Sequence, residues 1–173
     1  MRRHSDTRRR PFRVLFVCTA NICRSPMAEG ILNDLAGRAE LTGQMEVHSA
    51  GVAAFDGAPA SPLACDVSLE AGIDISRHRS RPVTEELLSQ ADLVLTMTAL
   101  HHKEIAQRYP QSAEKVVPLR AYAVGGAVNG NRDIEDPYGG TKAGYQKCFD
   151  QLRQEIERIF PEIVDAVRAK RSW

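Results

Sequence analysis

The fold is decided by the stretch from Arg13 to Gly30, RVLFVCTANICRSPMAEG. Its first part, Val14 to Val17, is a continuous apolar run, which is typical of a strand buried on both faces of a parallel sheet. The run stops at Cys18, and Ser25-Pro26 then gives the start signal of a helix. The stretch therefore predicts a strand, a short loop and a helix, with the loop at the carboxyl end of the strand.

The predicted loop, Thr19 to Cys23, is suited to binding an anion. Free backbone N–H groups converge at such a position in α/β proteins, and the helix dipole favours negative charge there. The same groups stabilise a thiolate at Cys18, and the planar guanidinium of Arg24 can hold two phosphate oxygens at once. Cys18 by itself would indicate a buried structural thiol. A cysteine, five residues, then arginine, serine and proline predict instead a nucleophilic cysteine that accepts a phosphoryl group.

The segment CTANICRSP resembles the signature loop of the low-molecular-weight protein-tyrosine phosphatases, and DPYGG at 136–140 resembles their general-acid loop. The resemblance runs from Phe12 to about Val167 and includes HSAG at 48–51, TEELL at 84–88 and ADLVLTMT at 91–98. It implies a three-layer αβα sandwich with a four-stranded parallel sheet of order 2-1-3-4. Ala20 departs from the family, which usually has glycine there, and its Cβ is a problem only if φ is positive.

The remaining sequence alternates strand and helix patterns, as expected of a doubly wound α/β domain. The elements after the first strand are helix 26–39, strand 45–51, helix 63–71, a short helix from 84, strand 92–97, helix 100–109, strand 115–119 and a long helix from about 145 to 167. Glycine-rich residues 125–131 predict a loop. Pro161 is expected to kink or divide the last helix.

Asp136 is the candidate proton donor for the leaving group. Asp-Pro alone is a turn signal, so its assignment as the general acid rests on the resemblance. Asp133 and Glu135 are the alternatives in the same loop. The phosphate-binding loop comprises Thr19, Ala20, Asn21, Ile22, Cys23 and Ser25, with Cys18, Arg24 and Asp136 as the catalytic set.

The resemblance also implies supporting roles for several residues. Asn21 and Ser49 brace the loop, and Ser25 stabilises the thiolate that leaves when phosphocysteine is hydrolysed. From the residues alone, Ser25 is equally well explained as a helix cap. Cys23 is the implied redox partner of Cys18, since a disulfide between them would protect the reactive thiol from irreversible oxidation; the other interpretation of Cys23 is a thiol packed against the core.

Three apolar side chains are candidates for the substrate pocket: Ile22, Phe55 and Tyr138. Phe55 lies in the loop 52–62 and is either a wall of the pocket or a plug against the body of the domain. Protein-arginine phosphatases, which resemble this chain closely, carry threonine at the position of Ile22. An isoleucine suits a phenyl ring better than a hydrated guanidinium, so phosphotyrosine is the predicted substrate and phosphoarginine the alternative.

Composition limits the remaining possibilities. The chain has 173 residues and a net charge of +1, but its first 13 residues hold six arginines and one aspartate, so their charge is +5 and that of the rest is −4. We therefore expect residues 1–11 to form a disordered basic tail with no nucleic-acid or membrane role. Residues 12–170 are expected to form a single phosphatase domain. With no targeting signal and no apolar run long enough for a membrane span, we expect a cytoplasmic protein, a monomer that acts on phosphorylated proteins.

Four cysteines and five histidines show no metal-ligand spacing, so neither a metal nor another cofactor is predicted. Cys65 and Cys148 lie on predicted helices and are expected in the core. Their wide separation disfavours a thiol-coupled arsenate reductase, which would need a close pair of relay cysteines. A non-catalytic phosphate binder would need neither Cys18 nor Asp136. His101-His102 is interpreted as a surface pair, because adjacent residues do not share a helix face.

Overall fold

The computed structural model describes residues 10–124 and 130–171. Within them, four strands form one parallel sheet, in the order β2-β1-β3-β4. The strands are β1 (Phe12–Cys18), β2 (Met45–Gly51), β3 (Leu93–Thr96) and β4 (Val116–Pro118). The predicted sheet order is confirmed, and the predicted strands 92–97 and 115–119 each prove one residue shorter at both ends.

The helices are α1 (Arg24–Arg38), α2 (Pro62–Glu70), α3 (Glu85–Gln90), α4 (Ala99–Arg108) and α5 (Lys142–Arg171), with short 3₁₀ turns at Pro110–Lys115 and Leu119–Ala121. They cover both faces of the sheet, which confirms the three-layer αβα architecture. Helices α1, α2 and α5 pack on one face, and α3 and α4 on the other. No helix in the described ranges is long and apolar enough to cross a membrane.

The apolar run that identifies β1 supplies both cores of the domain. Val14 and Phe16 belong to the cluster under α1 and α5. Leu15 and Val17, which point to the opposite face because side chains alternate along a strand, belong to the cluster under α3 and α4. All four are at most 2% exposed. A strand buried on both faces has no polar position, which explains why the run is continuous.

Helix α5 is a single helix of 30 residues with Pro161 inside it, so the expectation that this proline divides the helix is wrong. A proline inside a helix removes one backbone hydrogen bond and costs about 3 kcal/mol. Here Pro161 is exposed, while buried apolar residues lie on both sides of it, Ile156 and Ile159 before and Ile163 and Val167 after. Packing against the core therefore holds both halves in one helix.

Three chain segments lie together at the carboxyl ends of the parallel strands. The loop 19–23 follows β1, the loop 52–61 follows β2, and the first turn of α4 follows β3. Residues 1–9 of the predicted basic tail and residues 125–129 of the predicted glycine-rich loop lie outside the described residues. Arg10, the first described residue, forms an ion pair with Asp92 at 3.0 Å.

Candidate active site

The loop between β1 and α1 folds around the sulfur of Cys18. The backbone N–H of Asn21 donates to Cys18 Sγ at 3.2 Å. Asn21 reaches this position with φ of +56°, a left-handed conformation that asparagine tolerates better than most residues. Ala20 is not among the described residues with positive φ, so replacing the family's glycine by alanine introduces no strain of that kind.

Ser25 stands against the same sulfur. Its Oγ lies 2.9 Å from Cys18 Sγ, and both residues are buried. Because α1 begins at Arg24, Ser25 is the second helical residue, and α1 has no side-chain cap. The explanation of Ser25 as only a helix cap is therefore wrong. Its hydroxyl is placed to donate to a thiolate at Cys18.

Arg24 is buried and its guanidinium faces the loop. Nη1 donates to the carbonyl of Ile134 at 2.9 Å, and Nη2 donates to Asp136 Oδ2 at 3.1 Å and to Thr19 Oγ1 at 3.4 Å. Its Nε is buried with no hydrogen-bond partner among the described residues. A buried donor without an acceptor costs free energy, so this N–H is available for an anion in the loop.

Of the three candidate carboxylates, Asp136 is the one that contacts Arg24. Its other oxygen accepts the backbone N–H of Tyr138 at 3.1 Å, and its side chain is about half exposed, at 48%. Asp133 instead accepts the backbone N–H of Ala99 at 2.8 Å. Glu135 is exposed and lies 3.9 Å from Lys147. The geometry therefore favours Asp136 over the two alternatives.

A buried polar network supports the loop from behind. The side-chain amide of Asn21 donates to Ser25 Oγ at 2.8 Å and to Ser49 Oγ at 2.9 Å. Ser49 in turn donates to Glu29. The backbone N–H of Arg81 donates to the side-chain oxygen of Asn21 at 2.9 Å.

Two further residues of this support carry no strong signal in the sequence. His78 Nε2 lies 2.7 Å from the carbonyl oxygen of Asn21. Gly51, at the end of β2, has no space for a side chain: a Cβ there would lie 2.4 Å from the carbonyl oxygen of Thr19 and 2.9 Å from the nitrogen of Asn21. The quoted HSAG segment contains Gly51, but only the three-dimensional contact explains why a glycine is needed.

The prediction that His101 and His102 form a surface pair is wrong for His101. Its side chain is 4% exposed and its Nε2 lies 2.9 Å from Thr19 Oγ1, whereas His102 on the next position is partly exposed. Burial, and then the positive charge of Arg24, lower the pKa of His101 to about 4. The two adjacent histidines do face different ways, as expected, but His101 faces the loop of the candidate active site.

All four cysteines are free thiols. Cys23 is buried, and its sulfur lies 3.3 Å from both Ser61 Oγ and Tyr145 Oη; burial raises the pKa of its thiol. Cys148 is buried in α5, and burial raises its pKa to about 12. Cys65 is partly buried and packs against the same core. The expectation of core positions is therefore met by Cys148 and in part by Cys65.

The three candidate pocket residues are placed differently. Ile22 is partly buried and packs against the core beside the loop. Phe55 is 87% exposed and Tyr138 is 69% exposed. The alternative that Phe55 is a plug against the domain body is therefore wrong.

Taken together, these features define a class of protein. A buried thiol at a strand-to-helix loop, an arginine with a free donor, and a carboxylate on the facing loop form the site of a cysteine-dependent phosphatase. Within the described ranges, no group of three histidine, cysteine or acidic side chains is placed to hold a metal ion.

Comparison with known proteins gives the same assignment. The family model "Low molecular weight phosphotyrosine protein phosphatase" matches residues 13–172. The chain is 37% identical over 150 residues to a protein-arginine-phosphatase of Bacillus subtilis (strain 168), covering 87% of this chain and 95% of that protein. It is also 37% identical over 150 residues to a probable low molecular weight protein-tyrosine-phosphatase, EpsP, of Ralstonia nicotianae, covering 87% and 94%.

A solved structure of the YwlE arginine phosphatase, a mutant with a phosphorylated active-site serine, superimposes with a TM-score of 0.80. The two chains are 36% identical, and the match covers 88% of this chain and 95% of the other. The chain therefore belongs to the low-molecular-weight protein-tyrosine phosphatase family, and it is a cysteine-dependent protein phosphatase. Its relatives include proteins named for phosphotyrosine and others named for phosphoarginine.

Proposed function

We propose that the protein hydrolyses phosphotyrosine in proteins through a phosphocysteine intermediate. The observation that carries the proposal is the arrangement around Arg24: its buried Nε–H has no partner among the described residues, and Nη2 contacts both Thr19 of the loop, at 3.4 Å, and Asp136, at 3.1 Å. In this proposal, Cys18 is the nucleophile, Arg24 binds the phosphate and Asp136 is the proton donor.

In the first step, the Cys18 thiolate attacks the phosphorus of the substrate and forms a P–S bond. The bond from phosphorus to the tyrosine oxygen breaks, and Asp136 in its acid form gives that oxygen a proton. Arg24 and the loop N–H groups hold the phosphoryl oxygens as charge develops on them, which supplies the positive field without a metal.

In the second step, water attacks the phosphorus of phosphocysteine. Asp136, now a carboxylate, takes a proton from that water as the P–S bond breaks and releases inorganic phosphate. The sulfur leaves as a thiolate, and Ser25 at 2.9 Å is placed to donate a hydrogen bond to it. A phosphorylated active-site serine in the YwlE mutant supports a covalent intermediate at this position in the family.

The preference for phosphotyrosine rests on the side chains around the loop. Ile22 is the apolar residue of the loop that we assign to the wall of the entry, and its side chain is partly buried. The exposed rings of Phe55 and Tyr138 are available to a phenyl group. Phosphoarginine is the second candidate, because relatives of equal similarity are named for it. Its guanidinium is charged and hydrated, so an apolar wall costs it binding free energy.

The test compares matched peptides that carry phosphotyrosine or phosphoarginine at the same position. The variants are Ile22→Thr and Ile22→Val, which have nearly the same shape and differ in polarity. We expect the wild type and Ile22→Val to prefer phosphotyrosine. Ile22→Thr should shift the kcat/KM ratio toward phosphoarginine by about tenfold or more, which requires about 1.4 kcal/mol of differential transition-state binding.

Cys18→Ser is the negative control and should show no turnover with either peptide while keeping the fold. A wild-type preference for phosphoarginine, or equal ratios in the threonine and valine variants, would refute the substrate assignment. Turnover by Cys18→Ser would refute the mechanism. We further propose that the enzyme acts as a monomer in the cytoplasm, on phosphorylated proteins, with no metal or other cofactor.

A further inference from the structure

We infer that His101 is a positioning residue that holds Arg24 for phosphate binding, and that it does so through the hydroxyl of Thr19. The inference rests on the proposed phosphatase function and adds a residue from α4 to its site. The contact that carries it is the hydrogen bond of 2.9 Å between His101 Nε2 and Thr19 Oγ1.

The first turn of α4 directs His101 inward. Thr98 caps this helix, and its Oγ1 accepts the backbone N–H of His101 at 3.1 Å. Because α4 starts immediately after β3, this turn stands at the same sheet edge as the loop after β1. Leu100 is 69% exposed while His101 is 4% exposed, so the imidazole leaves the helix surface and enters the protein beside Thr19.

Thr19 needs an external support because packing does not fix it. The residue is exposed at the mouth of the loop, and a threonine side chain can turn about χ1. Among the described residues, its hydroxyl forms hydrogen bonds to His101 Nε2 and to Arg24 Nη2, the latter at 3.4 Å. Both partners are buried, each 4% exposed, and the imidazole contacts the threonine from α4 rather than from the phosphate-binding loop or the segment of the general acid. Its 2.9 Å hydrogen bond therefore restricts where the threonine oxygen is presented to the guanidinium.

The position of that oxygen matters because of the other anchors of Arg24. The carbonyl of Ile134 and the carboxylate of Asp136 both belong to the segment that carries the general acid. Asp136 must leave Arg24 when it gives its proton to the leaving group. Of the two acceptors for Nη2, Thr19 is the one on the phosphate-binding loop. Its hydroxyl can therefore keep the guanidinium oriented while Asp136 acts.

A neutral ring suits this role. Burial and the charge of Arg24 keep the pKa of His101 far below neutrality, so the imidazole adds no second positive charge beside the guanidinium at pH 7. A neutral imidazole can accept the hydroxyl hydrogen of Thr19 or donate to its oxygen, depending on the tautomer. Both arrangements fix the side chain of Thr19.

The test uses His101→Leu, which removes the hydrogen bond, and His101→Gln, whose amide nitrogen can reach the place of Nε2. His102→Leu is the matched control, because it changes the neighbouring histidine that faces away from the loop. Each protein is assayed for kcat/KM with an aryl phosphate and for competitive inhibition by inorganic phosphate. Urea unfolding verifies that each variant is folded.

We expect His101→Leu to lower kcat/KM about tenfold and to raise the inhibition constant of phosphate by a similar factor. His101→Gln should recover most of both losses, and His102→Leu should match the wild type. In a Thr19→Val background, the further change His101→Leu should have little effect, because the link is already removed.

Additive losses in the Thr19→Val background would overturn the inference, and so would wild-type values in a folded His101→Leu protein. If His101→Leu does not fold, a folded His101→Gln that retains no more than a tenth of wild-type phosphate affinity would also overturn it. Failure of the proposed function has a different signature, since the wild type itself would then show no turnover of aryl phosphate.

Discussion

Acid should destabilise the folded protein through His101, because the folded state keeps this ring neutral. Burial and Arg24 lower its pKa to about 4 against an ordinary value of 6.5, while Asp133 and Asp136, the acidic groups that face it, act in the opposite direction. The unfolded chain therefore binds a proton at His101 at a higher pH than the folded protein does. The stabilisation is complete above about pH 6.5 and is lost as the pH falls toward 4.

The magnitude follows from the two pKa values. At pH 5, the unfolded histidine is almost fully protonated and the folded one almost fully neutral, so the difference favours unfolding by about 2 kcal/mol relative to pH 7.5. The full difference of about 2.5 pH units corresponds to about 3 kcal/mol. This is a large share of the ~5–15 kcal/mol by which a domain is usually stable.

The assay is urea unfolding of the wild type, His101→Gln and His102→Gln at pH 7.5 and pH 5.0. Other groups also titrate in this range, so the informative quantity is the difference between proteins in their loss of unfolding free energy. The wild type and His102→Gln should lose about 2 kcal/mol more than His101→Gln, which cannot take up this proton. Equal losses in all three proteins would refute the reasoning.

Three other substitutions test the site. Asp136→Ala should lower kcat about 10²–10⁴-fold on a poor leaving group and less on a phenol that leaves without a proton; a loss that does not depend on the leaving group would contradict its role as the acid. After mild peroxide treatment, Cys23→Ser should recover less activity with thiol than the wild type. Mass spectrometry of the oxidised wild type should find a Cys18–Cys23 disulfide. Equal recovery of the two proteins would argue against protection of Cys18 by this disulfide. Gly51→Ala should cost about a hundredfold in kcat/KM, because its Cβ meets the backbone of the loop at 2.4 Å. Gly37→Ala, at a position with open space around it, should be close to the wild type, and a normal Gly51→Ala enzyme would show that the loop can yield.

Most of the fold is predictable because its signals are local. The run Val14 to Val17, the helix start at Ser25-Pro26 and the helical spacing from about 145 to 167 each reflect one element and its burial. Pro161 shows the limit of local rules. The free-energy cost of this proline arises at one position, but the packing that offsets it comes from residues spread along both halves of α5.

The core of the site is predictable for a similar reason, since Cys18, Arg24 and Ser25 belong to one loop and one helix turn. The supporting residues come from distant segments, and their sequence neighbourhood does not reveal them. His101 is 82 residues from Thr19, and His78 is 57 residues from Asn21. A histidine pair at the start of a helix is usually solvated, and only the position of α4 beside β1 places one of the two rings in the site.

In the proposed mechanism, the ion pair between Arg24 and Asp136 connects substrate binding to the proton donor. The carboxyl is about half exposed, at 48%, so water competes with Arg24 for its oxygens in the free enzyme. A bound phosphate brings negative charge to the same guanidinium and competes with the carboxylate for its donors. The negative charges of the phosphate and of Asp136 repel each other, which frees the side chain to turn toward the leaving oxygen. Thr19 is an acceptor for Arg24 on the phosphate-binding loop, so this contact does not depend on the carboxylate. We therefore expect phosphate to displace Asp136 from Arg24, while the arginine that binds the phosphate remains in place.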